Sequence, residues 1–347
     1  MLSYRQLKRF NGDEMANIKD VAKLAGVSIT TVSMVLNNTE NKISEATRKK
    51  VLHAAKSLNY NANGYAKALA SKKSNIIMAI VPDINNPFFS ELVKELTQFA
   101  QEYSYFLYIH NTNNQKIDKN KFLNLLANNF FAATLVVDRN VNSLDEDDVK
   151  KYNIIFLDEV DFDNRNTQIV TGNNEMGGYL AMEYIIKRGF KNIGLLIGPR
   201  STANSSRRLS GAIKAAMNYD IYIDYKNIVH GDYSYEEGYK AGEFFKEKNV
   251  DAIFSFADMS SYGLINYFAE NDIKIPDDIS LISYDNLFLN KIISPRLTSL
   301  DQNLKEIAKN AIRMADELIR NKTVQEKIMV EPKIIEGESV GFKKWKY

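Results

Sequence analysis

The stretch Ile18-Lys19-Asp20-Val21-Ala22-Lys23-Leu24-Ala25-Gly26-Val27-Ser28-Ile29-Thr30-Thr31-Val32-Ser33-Met34-Val35-Leu36-Asn37 holds two helical periods separated by one tight break. Ile18, Val21, Ala22 and Ala25 recur at the three- and four-residue spacing of an amphipathic helix, and Gly26 interrupts it. Ser28 predicts the start of a second helix running to about Leu36, since its hydroxyl can accept from an orphan N–H of the first turn. At about 100° per residue, Ile29, Thr30, Ser33, Met34 and Asn37 share one arc of roughly 140°, and Thr31, Val32, Val35 and Leu36 fill the opposite arc. The second arc is largely apolar and is expected to pack on Val21, Ala22, Val51 and Ala55. The first is a slim row of short side chains. Such a face suits a major groove, with hydroxyls for phosphates and tips that reach base edges. Periodicity alone fits an ordinary amphipathic bundle helix equally well.

After this run, a polar stretch (37–43) leads to Ser44, which starts a third helix with Glu45 opposing the helix dipole in its first turn. Val51, Ala55 and Leu58 form its apolar stripe, so three helices make a small bundle. Between Met15 and Lys73 ten lysines and arginines face three acids, a surplus of seven. The whole chain carries only +2 over its 347 residues, so the part beyond Lys73 is acidic. A basic module on an acidic body predicts a polyanion partner for the module alone.

Asn61 to Ser74, rich in small and polar residues, reads as the linker. From Ile76 onward, short β-branched runs alternate with amphipathic helices. Strands are expected at 76–81, 105–109, 133–137, 153–157, 193–197, 227–230, 251–255 and 279–283. Helices are expected at 87–103, 116–128, 175–188, 206–217, 235–247, 260–270 and 304–320. This alternation requires parallel sheets with helices on both faces, and its length suits two doubly wound lobes better than one sheet.

The chain has no cysteine, which excludes disulfides, thiolate metal sites and cysteine nucleophiles. Its histidines, His53, His110 and His230, lie in different elements without metal-ligand spacing, and no phosphate-binding glycine loop or nucleophile elbow is present. No enzyme activity, metal or cofactor is expected. No apolar run is long enough to span a membrane, and Met1 to Glu14 lacks a secretory signal, so a cytoplasmic protein with no membrane partner is expected.

The run from Ile18 to Asn37 closely resembles the helix-turn-helix of the LacI/GalR family of bacterial transcription regulators. The resemblance continues through Ser44-Glu-Ala-Thr-Arg-Lys-Lys-Val51, Leu58-Asn-Tyr60 and Ala66-Lys-Ala-Leu69. It extends to Val81-Pro-Asp-Ile-Asn-Asn-Pro-Phe-Phe89, Gly231-Asp-Tyr233 and Ile275-Pro-Asp-Asp-Ile-Ser-Leu-Ile-Ser-Tyr-Asp285. It implies a small all-α helix-turn-helix headpiece (15–62), a hinge helix (63–73) and an α/β two-lobed core like that of periplasmic binding proteins. The first lobe would comprise 74–172 and 302–332, the second 173–301 and 333–347. Because Met15-Ala-Asn-Ile-Lys-Asp resembles the family's usual beginning, residues 1–14 are expected to be a disordered arm or a mis-called extension.

By the same resemblance, Ile29, Thr30 and Met34 touch bases, while Ser28, Thr31, Ser33 and Asn37 hold the phosphate backbone. Many members carry arginine where this chain has Met34, which cannot donate a hydrogen bond to guanine. In the hinge, Leu69 corresponds to the apolar wedge that parts a base step in the minor groove. Lys67 stands where arginine is usual, and Ala62 replaces a common proline.

Ligands of open α/β sheets bind beyond the carboxyl ends of the strands. The residues there include Asp83, Phe88, Phe89, His110, Asn111, Asp138, Arg139, Asp158, the stretch 200–208, Asp232, Tyr233, Asp258, Tyr284 and Asp285. Carboxylates, amides and arginines interleaved with aromatic rings suit a polyol. The resemblance assigns the effector pocket to Phe88, Phe89 and Asp158 of the first lobe and Arg208, Tyr233, Asp258 and Asp285 of the second. Arg208 precedes Leu209-Ser-Gly, as in the family. Asp258 is preceded by Ala257, where members usually carry asparagine. The expectation is a homodimeric repressor of a carbohydrate operon, bound to a double-stranded pseudo-palindromic operator and tuned by a small sugar. A nucleobase- or nucleoside-responsive regulator, a protein-partnered regulator and a two-lobed solute-binding protein are the alternatives.

Overall fold

A computed structural model describes residues 16–37, 43–58, 60, 74–128, 131–137, 141, 144–158 and 167–343. The chain divides into two compact units between Ser74 and Asn75. In the first, α1 (Ile18–Ala25), α2 (Ile29–Asn37) and α3 (Glu45–Ser57) form the small bundle. Asn17 caps α1 by accepting from the N–H groups of Lys19 and Asp20, while Asp20 accepts from the Asn17 N–H at 3.0 Å. These reciprocal bonds satisfy orphan donors at both ends of the box. Gly26 ends α1 in the left-handed region at φ 66, a conformation that carries a steric penalty once a Cβ is present. Ser44 caps α3 by accepting from the Thr47 N–H. Val21, Val32 and Val51 are fully buried with Ala22, Val35, Ala54 and Ala55 around them. Each such valine contributes about 1.5–3 kcal/mol relative to exposure.

The second unit contains two six-stranded sheets. The first sheet is ordered β11-β5-β4-β3-β1-β2 and the second β12-β10-β9-β8-β6-β7. Its elements run β1 (Ile76–Val81), α4 (Pro87–Glu102), β2 (Phe106–Asn111), α5 (Lys119–Asn128), β3 (Ala133–Val136), α6 (Glu146–Lys151), β4 (Ile154–Leu157) and β5 (Gln168–Gly172). Then follow α7 (Asn174–Lys187), β6 (Ile193–Ile197), α8 (Ala203–Asn218), β7 (Ile228–His230), α9 (Tyr235–Lys248), β8 (Ala252–Ser255), α10 (Asp258–Glu270) and β9 (Ser280–Asp285). The series ends with β10 (Thr298–Asp301), α11 (Leu304–Ile319), β11 (Lys327–Val330) and β12 (Lys333–Ile335). The chain passes between lobes three times, after β5, β10 and β11.

Strand alternation sends Ile77 and Ala79 to one face, against Leu92 and Leu96 of α4 and Ile307 and Ala311 of α11. Met78 and Ile80 go to the other face, against Phe122 and Leu126 of α5. In the second lobe α7 and α8 cover Leu195, Phe254 and Ile282, and α9 and α10 cover Leu196, Ile253 and Leu281. Burial on both faces explains why these strands are continuous apolar runs.

The structure departs from the sequence reading in three places, the first being the short helix α6 (Glu146–Lys151), which is not among the expected helices. The described residues hold four strands beyond the eight expected: β5, β10, β11 and β12. Their Thr, Ser, Asp and Lys content hides them, because they lie at or beside the interlobe crossings. In addition, β12 pairs antiparallel with β10, so the second sheet is mixed at its edge.

Candidate functional site

In the first unit Ser28, Ile29 and Thr30 are exposed, with Ile29 at 44%, while Val32 and Val35 are buried beneath them. Ser33 and Met34 are half-buried on the same helix. Ser28 Oγ accepts from the Thr31 N–H at 3.1 Å and lies 2.9 Å from the Thr31 hydroxyl, so it caps α2. The start of α2 therefore offers hydroxyls and the positive end of a helix dipole together, a fitting surface for a phosphate. Lys19, Lys23, Lys49, Lys50 and Lys56 are exposed around this bundle. Asn37 is the last residue of α2. The expected hinge contacts, Lys67 and Leu69, lie outside the described residues, as do residues 1–14, Asp138 and Arg139.

Of the expected effector residues, Asp158, Tyr233 and Asp285 lie at or just beyond strand ends, Phe88 and Phe89 open α4, Asp258 opens α10 and Arg208 stands within α8. Asp158 at φ 63, Tyr233 at φ 71 and Asp285 at φ 113 are held in left-handed backbone. Such conformations persist where surrounding structure over-determines them, and they concentrate at ligand sites. For Asp158 part of that hold is the Thr171 hydroxyl, which donates to its carbonyl at 2.9 Å.

Arg208 is 4% exposed. Its Nε donates to Asn174 Oδ1 at 2.7 Å and its Nη1 to the Phe256 carbonyl at 2.5 Å. The guanidinium lies 3.7 Å from the centre of the Tyr284 ring and 5.9 Å from that of Tyr233. A cation over two rings, with its remaining donors aimed by fixed partners, is pre-organised for oxygens. Asn204 Nδ2 donates to Asp158 Oδ1 at 2.9 Å, across the lobes. Asp285 accepts from Gln302 Nε2 at 2.7 Å. Burial pushes the carboxyls of Asp158 and Asp285 above the usual carboxylate range, opposed in both by the Arg208 charge. Burial also pushes the Tyr284 hydroxyl up to about 12, again against Arg208.

Phe88 is buried and Phe89 half-buried, their rings edge to face at 5.1 Å at the start of α4. The Tyr233 hydroxyl lies 3.3 Å from that of Thr202. Asp258 is placed differently from the other acids. It is fully buried, and its carboxylate accepts from the Leu287 N–H at 2.7 Å, Asn290 Nδ2 at 2.8 Å and the Ser299 hydroxyl at 2.8 Å. Its Oδ2 holds the 286–290 loop, while its Oδ1 is engaged by Ser299 of β10.

Sequence reasoning passed over Asn174, Gln302, Asn290 and Glu91, and it named Asn204 only within a stretch. Asn174 and Gln302 closely follow β5 and β10 at the lobe crossings, a signal that was lost with those strands. Among the described residues no cluster of three or more His, Cys, Asp or Glu could hold a metal, and no helix is long and apolar enough to cross a membrane.

Residues 17–63 match the family model described as bacterial regulatory proteins, lacI family, and residues 182–340 match a periplasmic binding protein-like domain. The chain is 31% identical over 331 residues to the HTH-type transcriptional repressor PurR of Photobacterium profundum, covering 94% of this chain and 99% of that protein. It is 33% identical over 325 residues to the HTH-type transcriptional regulator DegA of Bacillus subtilis, covering 92% and 96%. Among solved structures, the lac repressor dimer bound to operator and the anti-inducer ONPF aligns with a TM-score of 0.81 at 22% identity. That alignment covers 94% of this chain and 100% of the repressor chain, and it is a likeness of fold.

Proposed function

This chain belongs to the lacI family of bacterial regulatory proteins and is a DNA-binding transcription regulator; we propose that it is a repressor whose operator affinity is set by a small sugar held between its two lobes. As a homodimer it presents two copies of α2 to successive major-groove faces of a pseudo-palindrome. Ile29, Thr30 and Met34 face bases there, and Ser28, Thr31, Ser33 and Asn37 face phosphates. Lys67 and Leu69 are assigned to the minor groove between the two half-sites.

The observation that carries the effector reading is Arg208, buried among carboxylates and aromatic rings at the strand ends. Its fork suits vicinal hydroxyls, and the rings of Phe88, Phe89 and Tyr233 suit the C–H face of a sugar. Asp158 and Asp285 supply acceptors. Asp258, at the start of α10, holds residues 287–290 and Ser299 and contributes to the cleft indirectly. The edge-to-face Phe88–Phe89 pair also suits a planar ring, and this favours a nucleobase as the second reading.

Selection from random oligonucleotides should yield a palindrome, and calorimetry against sugars and nucleobases should then give binding that changes palindrome affinity. Binding by nucleobases while every sugar stays silent would replace the sugar reading. The absence of any selected palindrome would remove the operator reading.

A further inference from the structure

Four buried side chains form one continuous line across the cleft. Arg208 Nε donates to Asn174 Oδ1 at 2.7 Å, Asn174 Nδ2 to Asn204 Oδ1 at 3.1 Å, and Asn204 Nδ2 to Asp158 Oδ1 at 2.9 Å. Asp158 follows β4 in the first lobe, while Asn174, Asn204 and Arg208 stand on α7 and α8 of the second. All four are at most 9% exposed. Every link runs in one direction. Each amide turns its carbonyl toward the guanidinium and its NH2 toward the carboxylate, so two dipoles align between a cation and an anion. The end charges dictate that sense, because turning either amide over would set donor against donor at one junction. The bonds at this depth have little competition from water, and leaving any member unpaired costs its full desolvation.

A second tie lies where α4 meets the loop after β9. Glu91 Oε1 of α4 accepts from the Phe288 N–H at 2.7 Å, and Leu287 is buried in the first lobe's apolar core. Asp258 anchors that loop through Leu287 and Asn290.

We propose that Asn174 and Asn204 are positioning residues that close the first lobe on the second through this amide relay. Closure is thus written into the chain's own side chains and does not depend on a ligand bridging the lobes. On the effector reading above, a ligand that displaces Asn174 from Arg208 Nε or Asn204 from Asp158 Oδ1 breaks the relay, and the binding of such a ligand is coupled to lobe opening. The relay itself stands or falls without that reading.

Because the chain has no cysteine, a cysteine pair at the exposed positions Lys121 and Glu247, one in each lobe, gives an interlobe distance by spin-label resonance on the full-length protein. Asn204→Asp sets carboxylate against carboxylate across the 2.9 Å link and is expected to shift the distance distribution to longer values. Combining it with Asp158→Asn exchanges the two ends of that link. The exchanged pair restores an amide donor facing a carboxylate that also accepts from Asn174, and the short distance should return. Asn204→Ala, which removes the bridge without adding charge, should shift the distribution in the same direction but less. Thermal unfolding of each variant establishes that it is folded. An unchanged distance in folded Asn204→Asp and Asn204→Ala, or an exchanged pair as open as Asn204→Asp, would overturn the proposal. The readout contains no effector and no DNA, so its failure is distinct from failure of the sugar reading.

Discussion

Met34 sits on the outer arc of α2 with a thioether that cannot donate a hydrogen bond, so it can favour a thymine methyl but cannot grip guanine. Met34→Arg is expected to add a preference for guanine at one symmetric position of the operator. One bidentate pair discriminates by about 1–3 kcal/mol, and comparison of the palindromes selected by the two proteins would read it directly. Asp285 offers a second test. Its carboxyl is raised to about 8 by burial, and it is faced by Arg208, Asp258, Asp158 and Gln302. A raised acid binds more protons folded than unfolded, so stability falls as pH climbs from the ordinary carboxylate range through the raised value. Asp285→Asn removes this dependence. Its thermal midpoint should gain on the parent's between about pH 5 and pH 8, and a constant gap across that window would contradict the assignment.

At the scale of elements, α7 and α8 pack so closely that a Cβ on Gly211 would lie 1.9 Å from the Glu175 carbonyl, and one on Gly178 would lie 2.0 Å from that of Arg208. These clashes are with backbone and cannot be relieved by a rotamer. Gly211→Ala should therefore force the helices apart and cost about 1–3 kcal/mol or more in denaturant unfolding. It would also move Arg208 and Asn174, which stand on these same two helices. The longer helices of the body were legible in the sequence because 3.6-residue periodicity over ten or more residues is hard to imitate, whereas the six-residue α6 was not. The strands β5, β10, β11 and β12 were not. They span three to five residues, and none carries more than three consecutive apolar residues.

For the whole molecule, the surplus of positive charge is concentrated in the headpiece, a compact unit of its own, and the rest of the chain is acidic. Palindrome affinity is expected to fall steeply with salt. Six to ten phosphate contacts would lose about 10³–10⁵ in affinity between roughly 50 and 200 mM salt. A flat salt dependence in fluorescence anisotropy would mean that the lysines around α2 do not reach the backbone.

The amino-acid sequence alone determined the helix–turn–helix, the alternation of eight of the strands with helices, and the polar residues that follow those eight strands. These are local properties. They follow from the side-chain period, the caps Asn17, Ser28 and Ser44, and the φ that Gly26 permits. Only the tertiary structure decided what each acid does. Asp158 and Asp258 look alike in sequence, each following a strand. Yet Asp158 meets Asn204 across the lobes, 46 residues away, while Asp258 spends both oxygens on Leu287, Asn290 and Ser299. A carboxylate's role depends on which donors reach it first, and in this fold those donors arrive from distant strands and helices that no local pattern brings together.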